Sequence, residues 1–161
     1  MRRLPVVGLL LLAGCTFGRS STVEHYQAEG VTLVLAVQSS EASGIIAGEL
    51  LTVEPDAYLL DAVNQIGDPV RVVRVPMRDI TRGAAYSGRS PRGEVRSVVD
   101  TPPGMRRVAR LGEAGRARGM DLQRLSRFPF GIPDAALSRL LDARVQTEVA
   151  GLGFAPIRST Y

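Results

Sequence analysis

The chain has 161 residues, of which 45% are hydrophobic and 22% charged, enough apolar content for one packed domain or two very small ones and too much for wholesale disorder. All twenty basic residues are arginine and the formal charge is +4, a balance too mild to argue for a nucleic-acid partner. One cysteine excludes an internal disulfide, one histidine leaves no Cys/His metal cluster, and the absence of tryptophan leaves few stacking platforms.

The chain opens on Met1-Arg2-Arg3. Leu4 to Leu12 is then almost wholly apolar, broken only by Pro5 and Gly8, and the small residues Ala13 and Gly14 lead to Cys15. A positive start, a short apolar run and small residues, in that order, make an export signal. The run is too short to span a bilayer, which takes about 20 residues. Leu12-Ala13-Gly14-Cys15 resembles the lipobox of bacterial lipoproteins. The resemblance implies that residues 1–14 are a signal peptide, cleaved before Cys15, and that Cys15 carries lipid on its sulfur and on its new amino terminus. A lone thiol in an exported protein is otherwise an odd reactive group. Each buried acyl methylene contributes about 0.8 kcal/mol, and more than one chain is needed for a stable anchor. The expected partner is therefore a membrane, reached through lipid on Cys15. Thr16, in place of Asp, implies the outer membrane if the cell is Gram-negative. Loss of Arg2 and Arg3 leaves 18 arginines against 16 acids.

Residues 15–29 are small and polar and read as a lipidated tether. His25 lies in it, beside Tyr26, and is read as solvated. Residues 31–38 place Val31, Leu33, Leu35 and Val37 on one face of a strand. Further strands are expected over 45–54, 57–62, 70–75 and 80–86, separated by Ser39–Gly44, Pro55-Asp56 and Asn64–Pro69. Gly48, inside the second of these strands, predicts a bulge or a bend. Pro76 ends the fourth for want of an amide donor. Short strands with brief turns predict an antiparallel meander that curls over one buried face. Gly48-Glu49-Leu50-Leu51, Glu54-Pro55-Asp56-Ala57-Tyr58-Leu59-Leu60 and Val73-Arg74-Val75-Pro76-Met77-Arg78-Asp79-Ile80 resemble the small SH3-like or Sm-like barrels of uncharacterised bacterial proteins. The resemblance covers residues 30–88. It implies a strand bending at the glycine, an acidic turn, and a one-turn 3₁₀ step into the last strand; the nucleic-acid role of Sm-like barrels is not carried over.

Residues 89–104 read as a linker, rich in Gly and Pro. The arginines between Arg89 and Arg110 read as a solvated loop in preference to a contact with an anionic surface such as lipid headgroups. Residues 105–161 are expected to be helical. A helix over Met105–Gly119 is weakened by Gly112, Gly115 and Gly119, each costing about 1 kcal/mol relative to Ala. Asp121 is placed to cap a short turn carrying Leu122 and Leu125. A helix over 133–150, opened by Pro133 and Asp134 and stopped by Gly151, carries a stripe of Leu137, Leu140, Leu141, Val145 and Val149. Phe128 and Phe130 are expected to staple it to the barrel. The fold class expected is α+β: a small antiparallel SH3-like β-barrel followed by C-terminal helices.

No catalytic constellation is assigned. Gly-x-Ser-x-Gly, P-loop and dinucleotide fingerprints are absent. Asp56 with Asp61, or Glu49 with Glu54, offers a carboxylate pair of the kind that turns and strand faces supply routinely. No cofactor or metal is implied. The expected function is that of a non-catalytic, membrane-anchored envelope lipoprotein with a structural or interaction role, with an envelope protein as a further partner. The alternative is a small hydrolase or sugar-binding lipoprotein.

Overall fold

The computed structural model describes residues 29–40, 43–63, 70–88, 101 and 104–152. Cys15 with its leader, His25, the turn Asn64–Pro69 and most of the 89–104 linker lie outside the described residues. Five strands form close to where alternation places them: β1 (Thr32–Gln38), β2 (Ser43–Val53), β3 (Ala57–Val63), β4 (Arg71–Pro76) and β5 (Ile80–Ser87). The 3₁₀ step after Pro76 is Met77–Asp79, tied to the preceding turn by the Met77 amide, which donates to the Asp56 carbonyl at 2.8 Å.

A sixth strand, β6 (Arg106–Leu111), stands where the sequence suggested a helix. Three glycines within eight residues weaken helix formation there, while β5 offers a free edge that pairs from Gly83–Leu111 to Ser87–Arg106, with a register shift between Ala85 and Tyr86. A short turn at Glu113–Gly115 follows, with Ala114 and Gly115 at φ of 53° and 64°. The strand order is β4-β3-β2-β1-β5-β6, and all neighbours are antiparallel. The sheet is not closed. Because β6 occupies the edge of β5 on which β4 would have to pair, β4 and β6 remain its two ends. Two short helices follow, α1 (Leu122–Leu125) and α2 (Asp134–Ala143). Asp121 caps α1 as expected, accepting from the Gln123 amide at 3.0 Å.

The sheet is apolar on both faces. Leu33, Leu35, Leu50, Leu60, Val73 and Val75 belong to one cluster on its inner side, with Tyr58. The Tyr58 hydroxyl donates to the Gly115 carbonyl at 2.7 Å, and burial pushes its pKa up to about 12. On the outer side, Val34, Ala84 and Tyr86 form one cluster and Leu51, Leu59 and Val72 another. Phe128, α2 through Leu137, Leu140 and Leu141, and then Val149 pack on the second.

The helix is shorter than its apolar stripe. It ends at Ala143, and Val145 adopts φ 56° with 95% of its surface exposed. The Val145 amide donates to the Asp142 carbonyl at 3.1 Å and the Gln146 amide to that of Leu141 at 2.9 Å. These are the bonds of a Schellman stop, in which the left-handed residue is usually Gly. Val145 therefore leaves the stripe, and the stop falls six residues before Gly151. Phe128 is buried whereas Phe130 is 87% exposed, so only the first of the two expected staples reaches the core.

Gly48 is required, although for close approach and not for a bulge. The register shift in β2 falls between Leu50 and Thr52. At Gly48 a Cβ would lie 2.6 Å from the Asp61 carbonyl oxygen and 2.7 Å from the Ala62 Cα. Both obstacles are backbone, so neither can swing away. Gly48→Ala should cost about 1–3 kcal/mol, the range for forcing atoms into a packed site. A urea titration checks this as a lower midpoint at unchanged slope.

Candidate functional site

The register of the sheet lines up one row of residues across all six strands: Val72, Asp61, Glu49, Thr32, Tyr86 and Arg107. The row lies on the outer face, since Val72 and Tyr86 at its two sides belong to the two outer clusters. Between those clusters sit two carboxylates from neighbouring strands, Glu49 and Asp61. Like charges opposite each other on a sheet repel, and here each has an arginine from the C-terminal half.

Asp61 is held by a bidentate pair. Arg144 Nε donates to Asp61 Oδ1 at 3.0 Å and Arg144 Nη2 to Oδ2 at 2.6 Å. The Asp61 side chain is 8% exposed and that of Arg144 31%. The hydrogen bonds to Asp61 push the Arg144 pKa up from its ordinary value, and desolvation opposes them. Arg144 is delivered by the C-terminal cap of α2. The guanidinium fork matches a carboxylate in a way an ammonium would not.

Glu49 accepts from the Gly30 amide at 2.8 Å and lies 3.6 Å from Arg127 Nη1. Burial raises its carboxyl pKa; the Gly30 bond and Arg127 pull the other way. Arg127 is placed by its own backbone: its amide donates to the Leu50 carbonyl at 2.9 Å, and that of Phe128 to the Leu51 carbonyl at 2.8 Å. The Thr52 hydroxyl donates to the Phe128 carbonyl at 3.0 Å. The bulge at Leu51 thus opens β2 carbonyls to the incoming chain.

The C-terminal segment also closes the outer edge of β4. Gln146 exchanges both bonds with Val72: the Val72 amide donates to Oε1 at 2.7 Å, and Nε2 donates to the Val72 carbonyl at 3.2 Å. The Ala150 amide donates to the Val72 carbonyl at 3.0 Å, and the Arg74 amide to the Ala150 carbonyl at 2.9 Å. A covered edge cannot recruit another strand.

The carboxylate pairs suggested by sequence proximity do not form. Asp56 is in an exposed turn, and Glu54 pairs with Arg74 at 2.9 Å. The structure brings together Glu49 and Asp61, twelve positions apart, through register. Their signal in the sequence is a carboxylate at the centre of each of two neighbouring apolar strands. Both are engaged by arginine, which suits them to fastening the C-terminal segment.

A cleft of about 450 Å³ lies between the β1–β2 turn, the end of β4 and residues 149–152. Arg74, Arg78 and Asp79 line it with Ser39 and Ser40. Arg74 is already paired with Glu54, and Arg78 lies 3.8 Å from Asp79. Among the described residues, no group of three or more His, Cys, Asp or Glu side chains is placed to hold a metal ion. No described helix is long and apolar enough to cross a membrane. No family model, curated protein or solved structure matches the chain.

The Asp61–Arg144 pair predicts a clear asymmetry between single and double substitution. Arg144→Met leaves a buried carboxylate without its partner and should destabilise by roughly 3 kcal/mol. Asp61→Leu combined with Arg144→Met removes the charge as well and should recover most of that loss. Denaturant midpoints of the three proteins measure the difference.

Proposed function

We propose that the protein is an exported lipoprotein, anchored to a membrane through lipid on Cys15, that serves as a non-catalytic interaction or structural module of the cell envelope. The observation that carries this reading is the ordered leader: Arg2-Arg3, the apolar run from Leu4, and Leu12-Ala13-Gly14-Cys15. The ion-pair network supports the non-catalytic part, because Glu49 and Asp61 are engaged by Arg127 and Arg144. A general base must be able to reach a substrate proton, and Asp61 is shielded by the element it fastens. The run β4-β3-β2-β1-β5, with a 3₁₀ turn between β4 and β5, supports an SH3-like module left open by β6.

Full-length protein expressed in a bacterial host tests the anchor. The membrane fraction should yield a chain starting at Cys15, heavier than its sequence by a diacylglyceryl group with or without an N-acyl chain. Cys15→Ser should abolish both processing and stable membrane attachment. Normal processing of that variant, with full retention in the membrane, contradicts the reading.

A further inference from the structure

We propose that the β6 side of the sheet is a contact surface for the anionic headgroups of the bilayer that holds the anchor. The inference rests on the lipoprotein reading and adds a partner to the fold itself.

The observation is a bank of arginines that the topology assembles from distant parts of the chain. Arg107 and Arg110 face Tyr86 and Ala84 across the β5–β6 pairing, and Arg82 stands opposite Ala36 on β1. Tyr86, Ala84 and Ala36 all belong to the outer-face cluster, so Arg82, Arg107 and Arg110 share that face. Arg106 begins the strand, and the chain turns back so that the Arg118 amide donates to the Arg110 carbonyl at 3.4 Å and the Gly112 amide to that of Arg116 at 3.0 Å. Arg82, Arg107, Arg110, Arg116 and Arg118 therefore lie along one side of the molecule, whereas Arg106, paired with Ser87, turns to the other face. Glu113 is the only acid among the described residues of β5, β6 and the returning segment. None of these five arginines is ion-paired among the described residues, whereas Arg74, Arg124, Arg127 and Arg144 all are.

Two features favour a phospholipid surface over another polyanion. Arginine presents a planar fork that binds phosphate oxygens in pairs, and a strand edge spreads several forks over a broad front. The second feature is position. Thr32 pairs with Tyr86, and Tyr86 with Arg107, so the start of β1, where the tether joins, lies two strands from Arg107. At about 4.8 Å per strand that is roughly 10 Å. β6 also runs parallel to β1, being antiparallel to β5 as β1 is, so Arg106 and Arg107 sit at the end of the sheet where the tether arrives. A lipid on Cys15 would hold this end within tether reach of the headgroups, where an acyl anchor and a basic surface reinforce one another.

Hydrogen exchange of the full-length protein reconstituted in vesicles tests the proposal, with intact mass of the same sample reporting whether Cys15 is lipidated. Amides of residues 104–118 should exchange several-fold more slowly in vesicles of phosphatidylcholine mixed with phosphatidylglycerol than in phosphatidylcholine alone. The slowing should disappear near 1 M salt, where the Debye length falls to about 3 Å, and in Arg107→Gln/Arg110→Gln. Amides of α2 should not change. Equal exchange in the two vesicles, with Cys15 lipidated, overturns the headgroup contact and leaves the anchor standing. A missing lipid with the slowing intact overturns the anchor alone. Slowing that persists in the double variant, or that soluble polyglutamate produces when the vesicles do not, overturns the assignment of this edge to lipid.

Discussion

An antiparallel sheet usually buries one face and leaves the other to water. In this protein the alternation that would allow it is absent. Leu51, Leu59 and Val72 face outward with no more than 1% exposure, just as Leu33, Leu35 and Leu60 do inward. A fully buried Leu or Val contributes roughly 1.5–3 kcal/mol, so leaving the outer three in water would forfeit an amount comparable to a small domain's whole stability. The requirement for a second cover explains why the chain continues past β6. It explains Phe128, the stripe on α2 and Val149, which together supply that cover.

Apolar contact alone is non-directional, and polar groups fix where the cover sits. The bulge at Leu51 presents two β2 carbonyls, and the chain at Arg127-Phe128 bonds both. Arg144 then reaches Asp61, and Gln146 and Ala150 satisfy the edge of β4. The helix has to stop early for this to happen. Continuing it through Val145 would carry Arg144 and Gln146 onward around the helix, whereas the left-handed turn at Val145 directs the chain back along β4. That conformation disfavours a β-branched side chain, and the contacts on either side hold it.

The first five strands were legible because turn residues bracket each run and proline marks the end of β4. The sixth was not. Arg106–Leu111 carries three arginines and stands beside glycines that weaken any local preference, so its conformation is set by the free edge of β5. The helix stop was hidden for a related reason: apolar periodicity cannot announce a left-handed Val. The polar network was hidden more deeply. Glu49 and Asp61 read as separate strand carboxylates, and only the register places them side by side and shows which arginines arrive. Phe128 and Phe130 illustrate the limit of composition, being two residues apart and of one type, with one buried and the other in solvent.

The account stands or falls on whether the C-terminal segment is part of the folded unit. A chain ending at Gly131 keeps all six strands and Phe128 but loses α2, Arg144 and the cover of the β4 edge. Thermal unfolding of that truncated protein, with its oligomeric state measured alongside, is the most direct measurement. The account predicts loss of the cooperative transition or self-association through the exposed Leu59, Val72 and β4 edge. A monomer melting cooperatively at the temperature of the full chain would contradict it.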